Sequence, residues 1–420
     1  MKFKQKVLDF IWALLYIPLG LPLSLLLPWG RKRAKFERLN ISDPKSRPFE
    51  GELAFEVSSE GELEQVYPLL KYLLNKGTRV ELIYSSQSVK EKCHKLGTEY
   101  PLHLRLFRLP LLTHFFGNIF GGQSLRSWMS SSTLILCRYD FFPQLLSLDV
   151  KLGLVSASLK GKKNVSPALY NLFEFIVATS KEEEDKFKKF YKKDLMALDF
   201  RVERIGERIE KAPEKLGQFP YKEILNDFPK SNRLILGSCW PVEMEIFKNL
   251  KFQKDILDKK IHVCLAPHNL NEMEDLIQAF RKSTEGKIPI YEDVDAPTIK
   301  SAPGVVLITQ KGILCELYSL FGQSFVGGGH GRSIHSVLEP YLAGNLIYCG
   351  PKTFRSTEYD FIMAHSPKDI HIVRKLSEFY DRFKIESISA LEMEKRDRIL
   401  AASKNEFGKI ISLLNGPNNE

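Results

Sequence analysis

The feature that most constrains the fold is a recurring alternation. Short apolar, β-branched runs are each followed by an amphipathic or charged stretch of helical period, from residue 53 to residue 349. The apolar runs predict strands at Leu53–Val57, Arg79–Tyr84, Leu134–Cys137, Leu152–Val155 and Phe175–Ala178, then at Leu234–Leu236, His262–Ala266, Val305–Ile308, Ser324–Val326 and Leu346–Cys349. Helices are expected over Glu62–Asn75, closed by Gly77, and over Lys181–Tyr191, Val242–Asn249 and Leu270–Lys282. Strands that alternate with helices form parallel sheets with right-handed crossovers. A chain of 420 residues exceeds what one hydrophobic core usually organises. Pro213, Gly217 and Pro220 cluster at mid-chain and suggest a linker there. The expected architecture is therefore α/β: a doubly wound domain over 36–210, a second over 211–420, and a cleft between them. Ligands in such sheets sit at strand carboxyl ends.

Residues 1–35 stand apart. Phe10 to Gly30 carries no charge, with Lys2, Lys4 and Lys6 before it and Arg31, Lys32, Arg33 and Lys35 after it. About 20 apolar residues suffice to span a bilayer, but Pro18, Gly20, Pro22 and Pro28 interrupt the run. A spanning anchor and a segment lying in the interface both fit, and the basic flank keeps the body of the chain on the cytoplasmic side. A buried helix of a soluble core is the plainer reading. The formal charge, 61 − 51 = +10, favours an anionic membrane or anionic substrates, since no nucleic-acid motif accompanies it. Cys93, Cys137, Cys239, Cys264, Cys315 and Cys349 form no Cys-x-x-Cys pair and read as buried thiols.

The most informative stretch is Phe325-Val-Gly-Gly-Gly-His-Gly-Arg-Ser-Ile-His-Ser-Val-Leu-Glu-Pro340. A strand enters three glycines, and a helix is expected from Ser333. Gly328, Gly329 and the helix start could present backbone N–H groups to a phosphate, with Arg332 and His335 as side-chain donors. His335 and Glu339, four apart, would share one helix face, leaving Glu339 for ribose hydroxyls. A tight strand–helix turn that binds nothing is the plainer alternative. Asp293-Val-Asp295 has the form of a metal-carrying Asp-x-Asp, but it sits among Glu292, Pro289 and Pro297 in a loop-like stretch, and no metal is expected there. The remaining histidines lack metal-ligand spacing.

This block resembles the nucleotide-binding segment of the Kdo transferases, which move 3-deoxy-manno-octulosonic acid from CMP-Kdo to a lipid A precursor. Other segments agree in order. Arg33–Leu39 resembles the stretch after that family's anchor, Ser59-Glu-Gly-Glu62 its Ser-x-Gly-Glu, and Asp140-Phe-Phe-Pro143 its Glu-x-Trp-Pro. Leu154–Leu159 resembles its Leu-Val-Asn-Ala-Arg-Leu, and Ile205-Gly-Glu-Arg208 its Gly-Asp-x-Arg turn. Gly237–Glu243 and Ala266-Pro-His268 resemble its two phosphate-side loops. Departures fall at Glu56-Val57 for His-Ala, at Glu60, at Arg138 for a carboxylate, and at Ala266 for an arginine.

The resemblance implies a metal-independent glycosyltransferase with no cofactor beyond its donor CMP-Kdo. It implies a two-lobed fold and a place on the cytoplasmic face of the inner membrane, among its lipids. Glu62 would be the general base, although by itself it reads first as a first-turn glutamate stabilising its helix. Ser238, Pro267, His268, Gly328, Gly329, Arg332, His335 and Glu339 would hold the nucleotide, with His268 readable also as a core histidine. Ser59, Asp140 and Arg208 would touch acceptor or sugar. A transferase using another nucleotide sugar, or an inactive lipid-binding relative, are the alternatives.

Overall fold

The computed structural model describes residues 49–415 except 110–124, 139–140, 160–165, 218, 220–221, 294–303, 355 and 384–389. The expected anchor over 1–35 and the expected contact Asp140 lie outside the described residues. Among the described residues, no helix is long and apolar enough to cross a membrane.

The chain divides into two compact units. One comprises Met1–Arg201 and Ser403–Glu420, the other Val202–Ala402. The division thus falls nine residues before the expected 210/211, inside helix α2 (Phe200–Glu210). The chain past Ser403 belongs with the first unit.

In the first unit, β1 (Leu53–Val57), β2 (Val80–Tyr84), β3 (Leu104–Arg108), β4 (Thr133–Cys137), β5 (Lys151–Ala157), β6 (Phe175–Ala178) and β7 (Asp194–Ala197) form one sheet. Its order is β3-β2-β1-β4-β5-β6-β7, and every pairing is parallel. β1 and β2 are buried along their whole length, as strands covered on both faces must be. Leu53, Phe55 and Val57 point into one apolar cluster and Ala54 into the other. Between β1 and β2 runs α1 (Glu60–Asn75). Ser59 caps its start and Gly77, at φ +83°, turns the chain out of its end.

The second unit repeats the plan with β8 (Arg233–Cys239), β9 (His262–Pro267), β10 (Ile290–Glu292), β11 (Val305–Leu307), β12 (Gln323–Val326), β13 (Leu346–Cys349) and β14 (Ile370–Ile372). These lie in the order β10-β11-β9-β8-β12-β13-β14, again all parallel. Leu234, Leu236 and Phe325 fill one side of the sheet, Ile235, Cys264 and Ile347 the other.

Helices differ most from expectation in three places. The 242–249 stretch is a 3₁₀ segment, Pro241–Lys248, and the charged helix stops at Phe187. The helix expected from Ser333 is the five-residue α3, Leu338–Leu342. A last long helix, α4 (Ala390–Asn415), places Phe407, Ile410 and Ile411 in the core of the first unit.

Candidate functional site

In the second sheet the chain builds outward from β8 through β9, then returns to β8's other side with β12. The carboxyl ends of β8 and β12 are therefore the point where winding reverses, the place where doubly wound sheets bind ligands. The backbone is distorted there. The register slips between Gly237 and Cys239, and Ser238 takes φ +51°, a region a serine adopts only at a cost. Gly327 lies so close to Ser238 that a Cβ on it would stand 2.1 Å from the Ser238 carbonyl oxygen. Gly328 and Gly329 follow at φ +84° and +81°. The chain then folds back on itself: Gly329 N–H donates to the Arg332 carbonyl (2.8 Å) and His335 N–H to that of Gly327 (3.1 Å).

That fold-back is why no helix starts at Ser333. His335 stands in the loop and Glu339 in the first turn of α3, so the shared helix face expected for them does not form. The backbone amides expected to cradle a phosphate are also engaged. Gly328 N–H donates to Glu243 Oε1 (3.0 Å), and Trp240 N–H to Glu243 Oε2 (2.7 Å). The α3 amides of Val337 and Leu338 donate to Glu358 Oε2 (2.9 and 3.1 Å). Two internal carboxyl groups thus occupy the positions an anion would take.

What remains for a ligand is a set of side chains. Trp240 stacks on His268 with ring centroids 4.5 Å apart, and His268 on His335 at 4.1 Å. The Arg332 guanidinium lies 4.0 Å from the Trp240 ring centroid. Trp240 Nε1–H donates to His335 Nε2 (2.9 Å), so a neutral His335 carries its proton on Nδ1. Burial, with help from His268 and Arg332, pushes the His335 imidazole down to about 4, and burial lowers His268 as well. Pro267 closes β9 beside Cys239, and His268 N–H donates to the Cys239 carbonyl (3.0 Å). Of the expected nucleotide residues, Ser238, Pro267, His268, Gly328, Gly329, Arg332 and His335 therefore gather at one strand-end cluster.

Sequence reasoning marked Gly237–Glu243 as a loop of the site but named only Ser238 within it, and it is Trp240 and Glu243 that tie the cluster together. Their signal was present in the order Trp-Pro-Val-Glu. Proline at a first helical position with glutamate two residues on is a helix-start pattern, and here the glutamate reaches back to the Trp240 amide.

Glu339 and Arg208 meet in the same unit. Arg208 pairs with Glu316 through Nε (3.0 Å) and Nη2 (2.6 Å), and its Nη1 stands 3.8 Å from Glu339. Lys215 adds a second cation to Glu316 at 2.9 Å. Arg208, expected at acceptor or sugar, is thus held in an ion-pair network beside Glu339. Burial pushes the Glu339 carboxyl up to about 7 although Arg208 opposes it, and burial does the same for Glu243 against the pull of its two amide donors.

These two carboxyls fix a pH dependence. Both hold a proton in the folded chain between pH 4.5, their ordinary value, and about 7, where the unfolded chain has released it. The two groups therefore contribute stability at pH 5 that is lost as pH rises through that window, while His335 and His262, which burial holds at about 4 and about 3, contribute in the opposite sense. Comparison with Glu243→Gln isolates the carboxyl: in urea unfolding, the parent's midpoint relative to that variant should be higher at pH 5 than at pH 8. A difference that stays the same at both pH values would mean that Glu243 ionises without penalty.

The first sheet reverses its winding between β1 and β4. Glu62 stands there, 4% exposed, in the first turn of α1. Its Oε2 accepts from Ser58 N–H and Ser58 Oγ–H, both at 2.7 Å, while Ser59 Oγ accepts from Glu62 N–H at 3.3 Å. This is a helix-capping arrangement, and it leaves the carboxylate at the strand end. Ser59 serves as the cap. Among the described residues, no group of three or more His, Cys, Asp or Glu side chains could hold a metal. Asp293 accepts from Thr309 N–H (3.0 Å) and Oγ1–H (2.7 Å), and Asp295 lies outside the described residues.

No protein-family model and no curated protein matches the sequence. Solved structures do match. A UDP-N-acetylglucosamine 2-epimerase shares 11% identity at a TM-score of 0.56, over 89% of this chain and 98% of that one. A glycosyltransferase from Rickettsia africae shares 10% identity at 0.50, over 88% and 100%. The C-terminal CMP-Kdo binding domain of WaaA from Acinetobacter baumannii matches over 49% of this chain and 98% of that domain, with 16% identity and a TM-score of 0.33, a likeness too slight to carry an argument. The first two share with this chain the two-domain α/β fold of the GT-B architecture.

Proposed function

We propose that the protein is a glycosyltransferase that moves Kdo from CMP-Kdo to a lipid A precursor. The observation that carries the transferase reading is the convergence of Trp240, His268, His335 and Arg332 on the winding reversal of the second sheet, in a chain with the GT-B fold. An aromatic face, a guanidinium and neutral imidazoles suit a nucleobase and its phosphate, and Glu339 stands nearby in sequence for a ribose. The sugar and acceptor rest on the ordered resemblance of segments 33–39, 59–62, 140–143, 154–159, 205–208 and 325–340 to the Kdo transferases. In this reading an acceptor hydroxyl attacks the anomeric carbon, Glu62 takes its proton, and CMP leaves with the bonding electrons. Arg332 and the imidazoles of His268 and His335 stabilise the charge that develops on the departing phosphate.

Incubating the full chain with a lipid A precursor and CMP-Kdo generated in situ, then weighing the lipid by mass spectrometry, tests the reaction directly. A second reading, a transferase for another nucleotide sugar, draws support from the fold's likeness to a UDP-sugar enzyme. Thermal shift separates the two. CMP should raise the melting temperature while UDP and GDP leave it unchanged, and stabilisation by UDP alone would move the assignment.

The reading also gives residues 1–35 a role. An apolar segment beside Arg31, Lys32, Arg33 and Lys35 would hold the enzyme at the cytoplasmic face of the inner membrane, each cation contributing on the order of 1 kcal/mol at an anionic leaflet. Deleting residues 1–30 should release much of the protein from membranes and leave CMP binding intact. Activity should drop on acceptor in vesicles and persist on acceptor in detergent. Equal activity on both would assign the segment to folding or sorting instead.

A further inference from the structure

We propose that Arg138 forms an anion subsite in the first unit, matched to a phosphate monoester on the acceptor. The inference rests on the transferase reading above and deepens it. Arg138 follows β4 directly, at the carboxyl end where the first sheet reverses its winding. Its backbone takes φ +63°, in the left-handed region that bulky side chains avoid, and its N–H is fixed to the Val155 carbonyl at 2.9 Å. A turn needed only for chain reversal would favour glycine or asparagine there. An arginine held in that conformation is a strained residue at a ligand-binding position.

The side chain is aimed as well as strained. Nε donates to Gln65 Oε1 at 3.0 Å, and Gln65 is 5% exposed, one helical turn beyond Glu62 on α1. Among the described residues, Nη1 and Nη2 make no hydrogen bond and no ion pair. Glu62 Oε2, on the same helix, accepts from Ser58 N–H and Oγ–H. The result is a half-buried guanidinium anchored by one edge, with its two-pronged end open among the described residues. That planar fork matches two oxygens of a phosphate, and partial burial strengthens the pairing over one made in water. It also sets anion recognition one helical turn from the proposed base, which suits an acceptor whose phosphate neighbours the attacking hydroxyl.

The test reads Arg138 itself and needs no turnover. Phenylglyoxal labels accessible guanidinium groups, and peptide mass spectrometry of the full chain locates them. A phosphorylated glucosamine disaccharide headgroup should slow labelling of Arg138 at least ten-fold, while its dephosphorylated counterpart and CMP should leave it unchanged. Equal labelling with and without the phosphate group would overturn the subsite. Protection by CMP would assign the anion to the donor and overturn it equally. Because this result is independent of the transfer assay, loss of the Kdo reading and loss of the subsite are separate outcomes. Arg138→Gly provides the second arm. It relieves the left-handed backbone, so the variant should melt no lower than the parent, and its binding preference for the phosphorylated over the dephosphorylated headgroup should fall to near one. A variant that keeps the preference would show that another group reads the phosphate.

Discussion

Replacing Glu62 by Gln should lower transfer by about 10²–10⁴-fold, the usual contribution of a general base, while melting temperature and CMP affinity stay close to the parent's. The substitution separates two roles that the geometry superimposes. As a cap, residue 62 has to accept a hydrogen bond from Ser58 N–H, and the amide oxygen of Gln can do so. As a base, it has to take a proton, which an amide cannot do. A variant that turns over at near the parent rate would leave Glu62 as a capping residue alone. Single-turnover kinetics with saturating donor make the comparison clean, since the groups proposed to bind the donor belong to the other unit.

Glu243→Ala should be the most disruptive change in the second unit. The Glu243 side chain is fully buried and accepts from the Gly328 and Trp240 amides at the same time. Removing it strands two donors and frees Gly328 from the Pro241–Lys248 segment, at a cost of about 2–4 kcal/mol. Melting should fall by several degrees, and CMP binding should be lost because Trp240 loses the contact that holds its backbone. Glu243→Gln should be intermediate: its single oxygen can serve one amide, and its NH₂ then faces the other N–H. Calorimetry with CMP alongside thermal melts checks the order Ala, Gln, parent. An Ala variant that melts like the parent would show that the loop holds its shape without the carboxylate.

The strands show what the sequence makes legible. The ten that apolar runs mark, from Leu53–Val57 to Leu346–Cys349, are the interior strands of both sheets. The four that pattern reading passed over, β3, β7, β10 and β14, are the four edges. An interior strand is covered on both faces and reads as a continuous apolar run, whereas an edge strand is half wet. Thus β3 reads Leu-Arg-Leu-Phe-Arg and β10 only Ile-Tyr-Glu. The site was legible to the same degree. The glycine loop and its neighbours were visible as residue types at strand ends, because such positions follow from the alternation itself. The partners of the loop amides were not visible. Glu243 lies 85 residues before Gly328, and no local pattern reports that a carboxylate will occupy an anion's place.

Helix α4 gives the first unit a dependence on translation order. Phe407, Ile410 and Ile411 lie in the core cluster of β1 and β2, with Phe407 edge-on to Tyr72 at 5.6 Å and to Phe200 at 6.2 Å. Those side chains are synthesised only after all of Val202–Ala402. At ordinary elongation rates that interval is ~10–40 s for the intervening 201 residues, long compared with the folding time of a small domain. The nascent first unit therefore waits with a greasy notch open beside α1, and the unit begun first is sealed last. During that wait the notch is an exposed apolar surface of the kind chaperones cover, and a ribosome stalled within the second unit would present it for as long as the stall lasts.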